Sequence, residues 1–233
     1  LWAVWALQQY AKETSREQCR QKYGELLKDI MEYIRQRKHD NLFLHENGLL
    51  YANGTEKAIT WMNSTVNGHP VIPRTGYIVE FNALWYNALK IMTRLAEKYE
   101  NKQLCRKYLE MAEKTKKSFD EKFYNAGKHC LYDVLGDSKV RPNQLFALSL
   151  SHPIVDNAEI AEQVLSTVEN KLLNKYGLKT LSSDEDGYVD VYEGSAYKRD
   201  SSYHQGITWP WLLGLYYDAL KSTMIIEKNR TKR

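Results

Sequence analysis

Cysteine is scarce in this 233-residue chain: Cys19, Cys105 and Cys130 are odd in number, far apart and without CxxC spacing. That excludes a disulfide framework and a cysteine zinc cage, and free thiols fit a reducing, cytoplasmic setting. The histidines His39, His45, His69, His129, His152 and His204 lack metal-ligand spacing, so neither a metal nor a cofactor is expected. Long apolar runs are missing as well: none approaches the roughly 20 residues of a membrane span. The opening LWAVWALQQYA has no basic flank or small-residue cleavage site of a secretory signal. Nor does one sign of charge dominate. Basic residues number 33 against 29 acidic ones, a formal net charge of +4, interleaved except for the closing run from Lys228 to Arg233. Such interleaving describes a solvated helix surface and not a nucleic-acid-binding face. Asp184, Asp186 and Asp190 around Gly187 lack the closing Glu of a calcium loop. The glycosylation triplets at Asn53, Asn63 and Asn229 are chance matches in a cytoplasmic reading.

What remains is a chain that is 43% hydrophobic, enough to bury a substantial core. Two kinds of helical segment alternate. Gln21 to Arg37, Gln103 to Phe123 and Asn157 to Leu173 are amphipathic and read as outer helices. Leu1 to Ala11, Val79 to Leu95, Asn143 to Ser149 and Trp209 to Leu220 are apolar nearly all round and read as inner helices, covered on both sides. Asn41 to Asn53 reads as a hairpin around Asn47-Gly48, and Ser182 to Ser202 as a long polar loop of the kind that carries function. No internal sequence repeat accompanies the rhythm, which argues against a solenoid. Residues 1–233 read as a single, all-α domain of helical hairpins closing into a double ring. The first helix opens at Leu1-Trp2 with no capping residue before it, as expected of part of a longer protein.

Polar, aromatic loops empty into these inner helices at three places: TWMNSTVNGHPVIPRTGY before IVEFNALWYNAL, Arg141-Pro142-Asn143-Gln144 before LFALSL, and Tyr203-His204-Gln205-Gly206 before TWPWLLGLYYDAL. Three such junctions imply one site built from several loops. Trp61, Trp85, Trp209 and Trp211 are suited to stacking on the apolar face of a pyranose, or to core packing. Trp61, in a loop, favours the sugar; Trp85 and Trp211, inside helices, favour the core. His204 and Gln205 offer hydrogen bonds beside a glycine that permits close approach. Arg141 and Asn143 would hold sugar hydroxyls or tie loop backbones together, the structural role being at least as well supported. Glu80, Glu193 and Asp200 are the candidate carboxylates, and Glu80 opens a helix where the dipole and a nearby Arg74 would favour its charge.

In this order and spacing, TWMN…PR.GYIVEFNALWYNAL, VRPNQLFALSLS and YHQGITWPWLLG resemble the carboxy-terminal amylo-α-1,6-glucosidase domain of glycogen debranching enzymes in their bacterial and archaeal form. LWAVWALQQY resembles the inner helix preceding these motifs. The resemblance runs from Leu1 to about Leu220. It implies an (α/α)6 toroid of the six-hairpin glycosidase type, incomplete in this chain, with the cleft where loops lead into inner helices. It implies hydrolysis of the α-1,6-linked glucose at branch points of glycogen or a related α-glucan, through one carboxylic acid and a second carboxylate. The family's acid follows Thr-Trp-Met; here that position is Asn63, and an amide has no suitably acidic proton to give. An engineered variant, a natural branch using another acid, or a glycan-binding toroid that retains the cleft would each account for it. The base is expected beyond Arg233. The expected site comprises Asn63 and Glu80, with Trp61, Arg74, Arg141, Asn143, Asp200, Tyr203, His204, Gln205 and Trp209 holding substrate.

Overall fold

Helices of both kinds occur in the computed structural model, which describes residues 1–98 and 101–230, with the end of the basic tail, 231–233, outside them; the first, expected to be covered on both sides, buries only Val4 and leaves Ala3, Ala6 and Tyr10 exposed. In chain order come α1 (Trp2–Glu13), α2 (Arg16–Arg35), strands β1 (Leu42–Leu44), β2 (Leu50–Ala52), β3 (Thr65–Val66), β4 (His69–Pro70) and β5 (Gly76–Tyr77), then α3 (Val79–Lys98) and α4 (Lys102–Lys122). The hairpin β6 (Tyr124–Asn125) and β7 (Cys130–Leu131) leads to a 3-10 turn (Pro142–Leu145) and α5 (Phe146–Ser149). After these come α6 (Ala158–Lys171), β8 (Leu173–Asn174), β9 (Gly177–Lys179), α7 (Ala196–Ser202), β10 (Thr208–Trp209) and α8 (Leu212–Arg230).

The amphipathic helices start where side chains can satisfy their first N–H groups. Ser15 accepts from Gln18 N at the head of α2, Asn101 from Leu104 N at α4, and Asn157 from Ile160 N at α6, contacts worth about 1 kcal/mol each. α1 has no such cap. α3 is the central element. Its Val79, Ala83 and Leu84 belong to one buried cluster with Phe119, Phe146, Leu148, Val164 and Leu215. Its Trp85, Ala88, Leu89 and Met92 belong to a second, with Val4, Leu27, Met31 and Tyr108. One helix thus joins both halves of the core, as its sequence, apolar on nearly every side, requires.

Several boundaries differ from the sequence reading. The domain is mostly helical but not purely so: ten strands of two or three residues form four small antiparallel sheets among the described residues. These fold back the loops that connect the helices. The expected hairpin is β1 against β2, with Leu42, Phe43 and Leu44 opposite Ala52, Tyr51 and Leu50. Gly48 turns it at φ 84°, and a Cβ there would meet the backbone nitrogen of Thr115 in α4. Thr115 and Ser118 donate to the carbonyls of Gly48 and Asn47, so the hairpin tip is riveted to α4.

The inner helix expected at Asn143 begins instead as the 3-10 turn, and its α-helical part ends after one turn where Leu150 becomes extended. The helix expected from Trp209 begins at Leu212. Trp209 pairs as a strand with Leu178, and Pro210 separates it from the helix. α8 also leaves Tyr217, Met224 and Ile225 exposed, so it is covered on fewer sides than predicted. The long loop from Ser182 carries the short helix α7 at its end.

Candidate functional site at the loop junctions

The three sequence motifs meet. Trp61 lies edge-on to His204 at 5.2 Å between ring centroids, to Trp209 at 6.0 Å and to Trp211 at 5.0 Å. His204 stacks on Trp209 at 5.3 Å and an interplanar angle of 18°. Tyr203 packs beside both, and Tyr192 from the long loop reaches Tyr203 at 5.5 Å. Trp2 of α1 extends the row through Trp211. Trp61, Tyr203, Gln205 and Trp209 are half-buried and Trp211 is 41% exposed. The result is an aromatic surface with polar edges, the combination that a pyranose ring requires.

His204 lies beneath it. Its ring is 1% exposed, and neither ring nitrogen has a hydrogen-bond partner in the protein. Burial, with Arg141 adding to it, lowers its pKa to about 4, so at neutral pH it offers one donor and one acceptor. Buried nitrogens without partners are costly and rare. Gly206 takes φ 146°, and a Cβ on it would collide with the carbonyl of Val189 and the Tyr188 ring. That position lets the long loop close against Gln205, whose carbonyl accepts from Val189 N at 2.7 Å.

Behind the aromatic surface runs a buried polar seam. Arg74 donates to both oxygens of Glu80 and of Asp133, with Nη2 to Glu80 Oε2 at 2.7 Å and Nε to Asp133 Oδ2 at 2.9 Å. Asn143 Nδ2 donates to Asp133 Oδ1 at 2.7 Å, and Asn143 Oδ1 accepts from Trp61 Nε1 at 2.7 Å. Arg141 donates to the carbonyls of Thr180 and His204 and to Gln205 Oε1. Burial pushes the Glu80 carboxyl above its ordinary range, while Arg74 pulls it down. Desolvation pulls Arg74 down, but Asp133 and Glu80 outweigh it and hold the guanidinium above its usual value. Arg141 is lowered by desolvation.

This geometry sorts the expected residues. Glu80 lies close to Arg74 at the first turn of α3, as anticipated, but it is 0% exposed with both oxygens on that one guanidinium. As placed, it meets no substrate. Arg74, Arg141 and Asn143 are likewise buried and donate to protein partners, with Arg141 Nε left without a hydrogen bond. Asn63 is exposed on the loop between Met62 and Ser64. Ser64 Oγ donates to the backbone carbonyl of Asp200, which sets the end of α7 beside that loop. Glu193 lies in the exposed run 189–198.

Asp133 and the exposed edge of Trp211 were missed or undervalued. Trp211 was assigned to a helix interior that begins one residue later. Asp133 sits in a turn without periodicity, and no local signal points to it.

A cavity of about 630 Å³ lies elsewhere, between the β6–β7 hairpin, α6 and residues Asp184 and Glu185. Its lysines are paired, Lys128 with Glu185 at 2.7 Å and Lys171 with Asp184 at 2.5 Å, and no Trp, Tyr or Phe lines it. The aromatic junction is therefore the better candidate despite its shallower relief.

A mostly helical domain whose loops converge on stacked tryptophans, a histidine and amide groups has the character of a glycosidase domain. The sequence profile of the amylo-alpha-1,6-glucosidase family matches residues 1–233, the whole chain, and the chain belongs to that family. Among the described residues no helix is long and apolar enough to cross a membrane.

Proposed function

We propose that this chain acts as an amylo-α-1,6-glucosidase-type hydrolase on the branch-point glucose of glycogen or a related α-glucan, in the cytoplasm. The observation that carries the proposal is the buried, unpartnered His204 stacked on Trp209 and facing Trp61 at the meeting of three loops. Family membership gives it its reaction class. The free thiols of Cys19, Cys105 and Cys130 support a reducing compartment. A single domain over residues 1–233 is supported by the two core clusters sharing α3. In this reading α1, α3, α5 and α8 are inner helices and α2, α4 and α6 outer helices of an (α/α)6-type toroid.

A glucose unit stacks on Trp61 and Trp211 with its hydroxyls toward Gln205 and Tyr203, above the buried ring of His204. Hydrolysis breaks the bond between C1 and the leaving O6, which an acid must protonate while a second carboxylate activates water. Asn63 has no such proton. Asp200, held beside the Asn63 loop through Ser64, is the carboxylic acid that the arrangement offers in its place. The test is incubation of the full-length protein with limit dextrin and assay of free glucose. Release of glucose, abolished by Asp200→Asn, is expected; a folded protein that releases none overturns the hydrolase reading.

The amide at position 63 favours a second reading, a glycan-binding domain with impaired catalysis. Asn63→Asp separates the two. A gain of about 10²- to 10⁴-fold in glucose release would identify a decayed acid, whereas unchanged activity in an already active protein favours Asp200.

A further inference from the structure

We infer that Asp133, which lies outside all three motifs, is the positioning residue that couples the two aromatic halves of the site. It is 3% exposed. Its Oδ1 accepts from Asn143 Nδ2 at 2.7 Å and Arg74 Nη2 at 3.0 Å, and its Oδ2 accepts from Arg74 Nε at 2.9 Å. Arg141 Nε stands 4.0 Å from Oδ2. The backbone of Asp133 takes part too, its carbonyl accepting from Val79 N at the head of α3. Two guanidiniums thus face two carboxylates, Glu80 and Asp133, in one buried group.

The polarity of these contacts does the coupling. An ionised carboxylate only accepts. Asn143 must therefore turn its Nδ2 toward Asp133, which leaves its Oδ1 facing the Trp61 indole N–H. The orientation of Trp61 is set two bonds away by the charge of Asp133. On the other side Arg141, drawn toward the same carboxylate, spends its Nη1 on the His204 carbonyl and its Nη2 on Gln205 Oε1. One carboxylate therefore fixes Trp61 through Asn143 and the His204-Gln205 segment through Arg141. An isosteric amide cannot do both. Asn at 133 would present a donor at one of the two acceptor positions, losing either Arg74 Nε or Asn143.

Asp133→Asn and Asn143→Ala test this in the unliganded protein by NMR, with the Trp61 indole N–H assigned through Trp61→Phe and the His204 ring through His204→Gln. Asp133→Asn is expected to displace or broaden at least one of the two signals. Asn143→Ala, which leaves the ion pairs in place, is expected to move the Trp61 signal and spare that of His204. A folded Asp133→Asn protein with both signals at their original positions overturns the inference. So does a Trp61 signal unmoved by Asn143→Ala, which decides the matter even if Asp133→Asn fails to fold.

The inference concerns the sugar site proposed above, and a second readout joins the two. Affinity for maltotetraose, titrated on the folded variants, is expected to fall at least tenfold in Asp133→Asn, an effect that a merely structural role would not produce; unchanged affinity counts against the coupling. If the unsubstituted protein itself binds no maltotetraose, the glucan reading falls while the NMR result still decides the role of Asp133.

Discussion

The segment from Thr60 to Tyr77 and the segment from Ser182 to Ser202 flank the same aromatic surface, yet they are held in opposite ways. The first is anchored by Arg74 in the buried charged seam, by Trp61 on Asn143 and by β5 in a three-stranded sheet. Gly54 lies so close beneath it that a Cβ would strike the Arg74 carbonyl. The second is exposed without interruption from Val189 to Lys198. It is tied at its start by Lys171 to Asp184 and Lys128 to Glu185, and farther on by Val189 N to the Gln205 carbonyl. Few buried contacts mean a low cost of local opening. The first segment is a fixed wall; the second is a rim that opens at low cost.

The sharpest way to break this contrast is Arg74→Met, which leaves Glu80 and Asp133 buried without their shared cation. Loss of about 3–5 kcal/mol in urea unfolding at pH 7 is expected. Without Arg74 to pull it down, the Glu80 carboxyl, already raised by burial, stays above its unfolded value. The cost of ionising it is therefore absent at lower pH and grows as pH rises, so the variant's deficit should narrow on acidification. A loss at pH 7 no larger than that of a rim substitution would remove the distinction.

Trp61→Phe keeps an aromatic face but deprives Asn143 Oδ1 of its donor, with an expected cost of about 1–3 kcal/mol. Acid should weaken the parent protein as well. His204 and His152 are both lowered by burial from 6.5 to about 4, so the unfolded chain binds more protons between those values. Stability is full above about pH 6.5 and falls as pH drops toward 4. His204→Gln should flatten that slope in part, because His152 remains. The smallest effect is expected at the rim, where Asp184→Asn removes an exposed pairing with Lys171 and should leave the melting temperature nearly unchanged.

The helices were readable because burial imposes a period. α2, α4 and α6 carry apolar stripes, and α3 is apolar on nearly every side, so each declares its covering in its own sequence. The Asn47-Gly48 hairpin was readable for a similar local reason. The start of α8 was not. TWPWLLG is apolar whether it pairs as a strand or coils, and the pairing of Trp209 with Leu178 is decided by residues some thirty positions away. The candidate site was half legible: loop-to-helix junctions point to Trp61, His204, Gln205 and Trp209, and the structure brings them together. Whether a polar residue faces sugar or protein was not legible. Arg74 meets Asp133 across 59 positions and Asn143 meets Trp61 across 82, and nothing local distinguishes a buried anchor from a ligand-facing group.

The most direct measurement of the central claim is calorimetric titration of the protein and of Trp61→Ala with an α-1,6-branched maltooligosaccharide. Saturable binding that weakens at least tenfold in the variant is the result predicted for a sugar seated on the Trp61 surface. No binding by the unsubstituted protein, or equal affinity in both, would contradict it.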